Sequence, residues 1–266
     1  MTQRWKLTIE YDGAEFAGWQ RQENALSVQE VLERGVKGFC GEDVTAHVAG
    51  RTDAGVHAVG QVAHIDIEKE TDVKAVRDAI NFHMRPHRVA IVKAEPVAHE
   101  FHARFGALKR YYCYKIITGR RAEPIIDAGR AWHVNIDLDV ARMNKAAKHL
   151  LGEHDFTSFR ASECQAKSPL RSLDRLEFIE NKTALAFGTH LELWAEARSF
   201  LHHQIRNMVG TLKLVGEGKW EPDDVKTALD ARDRAKAGPT APPDGLYFMR
   251  VDYNESAFTK GVDSLL

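Results

Sequence analysis

The alternation of two hydrophobic periods over the first hundred residues constrains the fold of this chain more than any other feature. Apolar side chains at every second position, Trp5, Leu7 and Ile9, predict a strand with one buried face. Ser27 and the Glu three residues later form an S-x-x-E capping box, which predicts the start of a helix. Further strands are expected over 44–49, 62–67 and 88–97, with a helix around 73–80 before the last of them.

The order strand, helix, strand, strand, helix, strand is that of a ferredoxin-like unit, an antiparallel sheet with helices on one face. The second half of the chain repeats this plan with longer insertions. Its strands are expected over 111–117, 173–179, 191–195 and 246–251, and its helices from Asp139, from about His202 and near 225–229. We therefore predict an α+β fold of two ferredoxin-like (βαββαβ) units, with antiparallel sheets forming a platform that has a catalytic cleft between them. The predicted boundaries are 1–104, 105–254 and a tail, 255–266.

Composition narrows the class of protein. The 266 residues are 44% hydrophobic and 28% charged, which excludes a disordered or collagen-like chain. No apolar run approaches the roughly 20 residues of a membrane span, and the first residues lack the pattern of a secretion or transit signal. We therefore expect a cytoplasmic protein without a membrane partner. Three widely spaced cysteines, Cys40, Cys113 and Cys164, form neither a disulfide framework nor a CxxC motif.

Charge is unevenly distributed although its sum is only -1. Six Lys or Arg and no acid lie between Phe101 and Ala122, and the stretch from Ala197 to Gly216 is likewise basic without an acid. A neutral protein with basic faces is compatible with a polyanionic partner. The chain has no phosphate-binding GxxxxGK[ST] loop, no GxGxxG after a strand, no HExxH and no GxSxG. We therefore expect any chemistry to need neither a metal nor another cofactor.

The segment Gly50–Ala58, GRTDAGVHA, lies between two adjacent predicted strands and contains the most unusual residues. Arg51 and Asp53 leave the same face if the segment is extended, and the cation favours the ionised carboxylate. Such a carboxylate can act as a nucleophile or a general base. An ordinary hairpin turn built from Asp and Gly explains the same residues, so the pattern alone leaves both interpretations open.

Two further clusters also allow both a functional and a purely structural interpretation. Tyr112 and Tyr114 lie on one face of a basic strand, which fits either base stacking or packing into a core. Arg206, four residues after His202, lies in an apolar helical pattern near the start of a helix. It is directed either at a charge partner or along a solvated helix edge.

Taken together, eight segments resemble the bacterial synthase A family of tRNA pseudouridine synthases, in the order of that family and over nearly the whole chain. They are YDGAEFAGWQRQ from Tyr11, SVQEVLE from Ser27, GRTDAGVHA from Gly50, FHAR from Phe101, RYYCY from Arg110, DFTSFR from Asp155, FLHHQIRNMVG from Phe200 and APPDGLYF from Ala241. The resemblance implies an isomerase that converts uridine to pseudouridine in the anticodon stem-loop of tRNA, at the expected positions 38–40. It also implies a homodimer.

The resemblance also implies roles for individual residues. Asp53 matches the catalytic aspartate, and Arg51 the arginine that enters where the flipped-out base has left. Tyr112 matches the tyrosine that stacks on the target base, and Leu246 the apolar wall beside it. Arg206 matches the arginine that pairs with the aspartate. His57, Gln20 and His202 are further candidates without an assigned role.

Two other functions are compatible with parts of the pattern. A non-catalytic RNA-binding module that uses paired ferredoxin-like sheets explains the basic and aromatic segments equally well. It does not explain an acid within the most distinctive motif. A metal-dependent hydrolase built on the thirteen histidines is less consistent with their spacing.

Overall fold

The computed structural model describes residues 2–182 and 187–254, and the predicted tail, 255–266, lies outside these described residues. The chain forms two compact units. The first contains the residues up to Arg110 and the stretch from Phe248, and the second is Tyr111–Tyr247. The last strand thus belongs mainly to the first unit, whereas the sequence assigned it to the second. Packing explains this, because the Tyr253 hydroxyl donates to the Ala103 carbonyl oxygen at 2.7 Å.

The first unit has the predicted βαββαβ order. Its elements are β1 (Gln3–Tyr11), α1 (Val28–Cys40), β2 (His47–Val48), β3 (His57–Ile67), α2 (Val73–Met84) and β4 (Val89–Val97). The strand order is β4-β1-β3, with β2 paired to β3, and the pairings of β1 with its two neighbours and of β2 with β3 are antiparallel. β1 buries alternate side chains, as its period predicts, and α1 begins where the Ser27 hydroxyl accepts the Glu30 N–H.

The second unit contains most of β5 (Ala107–Thr118) and the elements β6 (Trp132–Val134), α3 (Val140–Ala147), β7 (Gly152–Asp155), β8 (Leu170–Glu180), β9 (Thr189–Ala197), α4 (Gln204–Gly216) and α5 (Pro222–Ala231). The last strand, β10 (Leu246–Tyr253), lies mainly in the first unit. The sheet of the second unit has the order β5-β9-β8-β7, and β6 runs parallel to β5. β7 pairs antiparallel with β8, and β8 with β9. The α+β class with mostly antiparallel strand pairing is therefore confirmed. In the second unit β5, α3, β8, β9 and α4 follow the βαββα order, with β6, β7 and α5 as insertions, and the closing strand β10 lies mainly in the first unit.

Several boundaries differ from the sequence expectations. β2 covers two residues of the expected 44–49. β3 begins at His57 rather than Val62, because Ala58 pairs with Tyr11 beyond an irregularity in β1. α4 begins at Gln204, since His203 has a left-handed backbone (φ 60°) that breaks the helix before it. No helix among the described residues has the length and apolar character needed to cross a bilayer.

Candidate catalytic site

Asp53 opens a tight turn in the connection that leads into β3. The Val56 N–H donates to the Asp53 carbonyl oxygen at 3.2 Å, and the Gly55 N–H donates to Phe16 O at 3.2 Å. Gly55 has a φ of 78°, which a residue with a side chain rarely adopts. The turn allowed by the sequence is therefore present, and it leaves the Asp53 side chain half-buried.

Buried hydrogen bonds hold the residues just before the turn. The Tyr11 hydroxyl lies 2.8 Å from Thr52 Oγ1, and Gln61 Nε2 donates to the Gly50 carbonyl oxygen at 2.8 Å. Burial raises the pKa of Tyr11 to about 12, against smaller opposing effects of its hydrogen bonds, so the phenol stays protonated and neutral near neutral pH. Because β1 and β3 supply these groups, the sheet fixes the backbone on one side of Asp53.

The glycines of the segment 11–20 allow the backbone of that segment to pack directly on the Asp53 turn. A Cβ at Gly13 would lie 2.1 Å from the Val56 carbonyl oxygen, and one at Gly18 would lie 2.6 Å from Thr52 O. The Trp19 N–H donates to Thr52 O at 3.0 Å. Both clashes would be with backbone, which cannot rotate away. The motifs YDGAEFAGWQ and GRTDAGVHA thus form one packed structure.

His57 supports this structure from within the core. Its ring is only 3% exposed, and Nδ1 accepts the Gly13 N–H at 3.0 Å. Asp12 Oδ1 lies 3.2 Å from the same nitrogen, and Asp12 Oδ2 pairs with Arg88 Nη1 at 2.9 Å. These contacts indicate a structural contribution of His57, whereas Gln20 and Arg51 are exposed.

In the second unit, Tyr112 faces the interior from β5. It is buried, and its ring lies edge-on to that of Phe200 with centroids 5.2 Å apart. The neighbouring Tyr114 is also buried and donates its hydroxyl to the Pro242 carbonyl oxygen at 2.7 Å. Burial raises the pKa of Tyr114 well above its usual value, although the nearby Arg206 charge opposes this. The two tyrosines share a face, as predicted.

Arg206 lies in the first turns of α4 and is joined to the segment 238–241 at two points. Its Nε donates to the Ala241 carbonyl oxygen at 2.8 Å, and its own carbonyl oxygen accepts the Ala241 N–H at 3.0 Å. Leu246, at the start of β10, is buried. His202 is exposed and precedes α4, which begins two residues later than the position of about His202 that the sequence predicted.

Asn207, next to Arg206, organises the same region through a fully buried amide. Its Nδ2 donates to the Phe159 carbonyl oxygen at 2.9 Å. Its Oδ1 accepts from Thr240 Oγ1 at 2.7 Å and from Arg234 Nη2 at 3.1 Å. These bonds connect the motifs DFTSFR and FLHHQIRNMVG with the segment that holds Arg206.

The structure therefore places the predicted site residues in two sets. Arg51 and Asp53 share one loop of the first unit, and Tyr112, Arg206 and Leu246 belong to the second. Sequence reasoning missed the supporting residues. Three of them lie inside the motifs selected from the sequence: Tyr11, Thr52 and Asn207. Thr52 and Asn207 are also the immediate neighbours of Asp53 and Arg206 in the chain, which is a signal that could have identified them. The remaining supporting residues, Gln61, Arg234 and Thr240, carry no such signal, because only folding brings them to the motifs.

Comparison with known proteins identifies the class. The chain belongs to the tRNA pseudouridine synthase family, whose model matches residues 7–106 and 146–254. The matched ranges include Arg51, Asp53, Arg206 and Leu246, and Tyr112 lies between them. Members of this family are isomerases, so the class of enzyme expected from the sequence is confirmed.

Individual relatives are similar over nearly their full lengths. The chain is 55% identical over 258 residues to the tRNA pseudouridine synthase A of Paramagnetospirillum magneticum, covering 97% of this chain and 98% of that one. It is 55% identical to the protein of the same name from Rhodospirillum centenum, covering 94% of this chain and 100% of that one. A third such protein, from Acidiphilium cryptum, is 56% identical, with 97% and 99% covered.

Proposed function

We propose that this enzyme isomerises uridine to pseudouridine in the anticodon stem-loop of tRNA, at positions 38–40, with Asp53 as the catalytic carboxylate. The reaction breaks the bond from uracil N1 to C1' of the ribose and joins C5 to C1'. A proton leaves C5 and one is gained at N1, so no electron donor or acceptor is needed. The reaction requires a positioned carboxylate and a base outside its stack.

The observation that carries this proposal is the rigid support of the Asp53 turn. Buried side chains of β1 and β3 hold the residues before it, and the backbone of residues 13–19 packs against it with no room for a Cβ at Gly13 or Gly18. Catalytic groups must be held within a fraction of an ångström, and sites supported by strands achieve this better than free loops. A half-buried carboxylate in such a setting is placed for chemistry rather than for solubility.

We assign the other predicted residues as follows. Tyr112 and Leu246 contribute flat and apolar surface against the target base, for which their burial on β5 and at the start of β10 is suited. Arg206 serves the chemical step rather than RNA affinity, since its guanidinium is tied to the 238–241 segment. Arg51 is exposed and free to reach into the stem when the base has left.

The decisive experiment is Asp53→Asn, which keeps shape and removes charge. We expect pseudouridine formation in a tRNA transcript to fall by about 10²- to 10⁴-fold while tRNA binding persists. Asp43→Asn is the matched control, because it makes the same change at an exposed carboxylate that pairs with Lys37. Wild-type rates in Asp53→Asn would remove this residue from the chemistry.

The same assay separates the two functional hypotheses. A non-catalytic RNA-binding module would bind tRNA without any pseudouridine appearing with the wild-type protein. Mapping of the product by chemical modification tests the position, which we expect within 38–40. We further propose a homodimer in the cytoplasm, where its tRNA substrate is located, and light scattering of the purified protein tests the dimer. Affinity for tRNA should fall steeply with added salt, since basic residues neutralise phosphates.

A further inference from the structure

The FHAR motif forms a compact turn at the surface of the first unit that no step of the proposed reaction uses. The N–H groups of Arg104 and Phe105 point to His102 Nδ1 at 3.2 and 3.4 Å, and the Gly106 N–H donates to the His102 carbonyl oxygen at 2.9 Å. The backbone thus folds around the imidazole. As a result the Phe105 ring lies 4.4 Å from that of His102 and remains 75% exposed.

Rings behind the turn hold it rigidly. The His102 ring packs edge-on against that of His64, with centroids 4.7 Å apart, and His64 Nδ1 accepts the Ala103 N–H at 3.2 Å. His64 also stacks with His47, with ring centroids 4.9 Å apart and an interplanar angle of 20°, and the His47 and His102 rings lie 5.6 Å apart. His64 is buried, whereas His47 is exposed on β2. We call the surface residues His47, His102, Arg104 and Phe105 the FHAR patch.

Two arginines, Arg4 and Arg104, carry positive charge beside the patch. Burial lowers the pKa of His102, and the neighbouring His47, Arg4 and Arg104 lower it further. Two acids lie next to this region: Asp66, which Arg4 engages through two bonds of 2.7 Å, and Glu100, whose charge also acts on Arg4. The Arg104 guanidinium lies 5.6 Å from the centre of the Phe105 ring. An exposed aromatic face with a guanidinium beside it suits a nucleobase together with its phosphate.

We propose that the FHAR patch binds an unpaired nucleotide of the tRNA substrate, with the base stacked on Phe105 and the adjacent phosphate at Arg104. This proposal rests on the proposed function for the identity of the RNA. It adds a contact away from the Asp53 turn, so the patch serves affinity and not the chemical step. RNA is favoured over a protein partner because the Arg104 guanidinium lies at the exposed Phe105 ring, so a cation and an aromatic ring are presented together.

The test is tRNA binding and single-turnover pseudouridine formation by Phe105→Ala. Loss of one stacked base should raise the Kd by about 5- to 100-fold, while the rate at saturating enzyme stays at the wild-type value. Phe105→Trp should retain binding, since it keeps a flat ring. Arg104→Gln should lower the slope of log Kd against log salt by about 1.

Phe82→Ala is the matched control. Phe82 is 65% exposed on α2 and its ring also packs edge-on against a histidine, His83, at 5.3 Å. We expect wild-type tRNA affinity for this variant, and unchanged melting temperatures for both alanine variants because both side chains are exposed.

The outcomes distinguish the two proposals. If the wild-type protein forms pseudouridine and Phe105→Ala binds tRNA as tightly as Phe82→Ala does, the patch proposal is overturned and the proposed function stands. If the wild-type protein forms none, the proposed function fails, whatever the binding data show. A change of oligomeric mass in Phe105→Ala with unchanged tRNA affinity assigns the patch to a protein contact and overturns our proposal.

Discussion

Gly210→Ala tests whether close packing of α4 against the 238–241 segment holds Arg206 in place. A Cβ at Gly210 would lie 1.8 Å from the Pro239 carbonyl oxygen, whereas ordinary contact begins at 3.4 Å. The segment would therefore have to move by about 1.6 Å, the difference of these two distances. No side-chain rotation can relieve this clash, because the opposing atom belongs to the backbone.

The cost follows from the bonds that such a shift breaks. Four hydrogen bonds join the segment to α4: Gly238 N to Thr211 Oγ1, Thr240 Oγ1 to Asn207 Oδ1, Ala241 N to Arg206 O, and Arg206 Nε to Ala241 O. At about 1 kcal/mol each, their loss destabilises the fold by about 4 kcal/mol. Alanine recovers about 1 kcal/mol of helix propensity and about 0.8 kcal/mol for a buried methyl group. The net expectation is a loss of about 2 kcal/mol.

Urea unfolding followed by circular dichroism measures this loss, with Gly216→Ala as the control in the same helix. The atom nearest to a Cβ at Gly216 is Met143 Sδ at 2.6 Å, which belongs to a flexible side chain that can move. We expect this control to lose less than about 1 kcal/mol. Pseudouridine formation by Gly210→Ala should also slow, since Arg206 loses its two bonds to Ala241. A Gly210→Ala protein as stable as the wild type would show that the 238–241 segment does not resist a Cβ at this position.

Two further predictions concern the first unit. Tyr11→Phe removes the hydroxyl bonded to Thr52, so we expect a loss of about 1 to 2 kcal/mol in unfolding free energy and a lower kcat with unchanged tRNA affinity. Tyr253→Phe, which also loses a buried hydroxyl contact, should destabilise the protein without lowering kcat. Burial, reinforced by nearby cations, lowers the pKa of His64 to about 3, so it stays neutral in the folded protein while the unfolded chain takes up a proton below about pH 6.5. Stability should therefore be complete above pH 6.5 and fall by up to about 1.4 kcal/mol per pH unit towards pH 3. Urea midpoints of His64→Gln should decline less between pH 7 and 5 than those of the wild type, and parallel curves would contradict this.

The sequence alone predicts the helices and strands that are long enough to show a hydrophobic period. Alternation in β1, the Ser27 cap of α1 and the apolar face of α4 lie in the local pattern, so their existence follows from short-range rules. The short strands β6 and β7 carry no readable period, since they span three and four residues. The first residues of β3 were also missed, because only pairing with Tyr11 makes them a strand.

For the site, the motifs and their order along the chain identified the family. They also identified Asp53, Tyr112 and Arg206 as candidate site residues. Only the folded chain shows which groups support Asp53 and Arg206. The Tyr11 and Thr52 side chains, 41 positions apart in the chain, meet beneath the Asp53 turn. Asn207 meets groups 27 and 33 positions away beside Arg206. Such contacts join residues that no local period relates, since a buried polar group finds its partner only when the chain has folded around it.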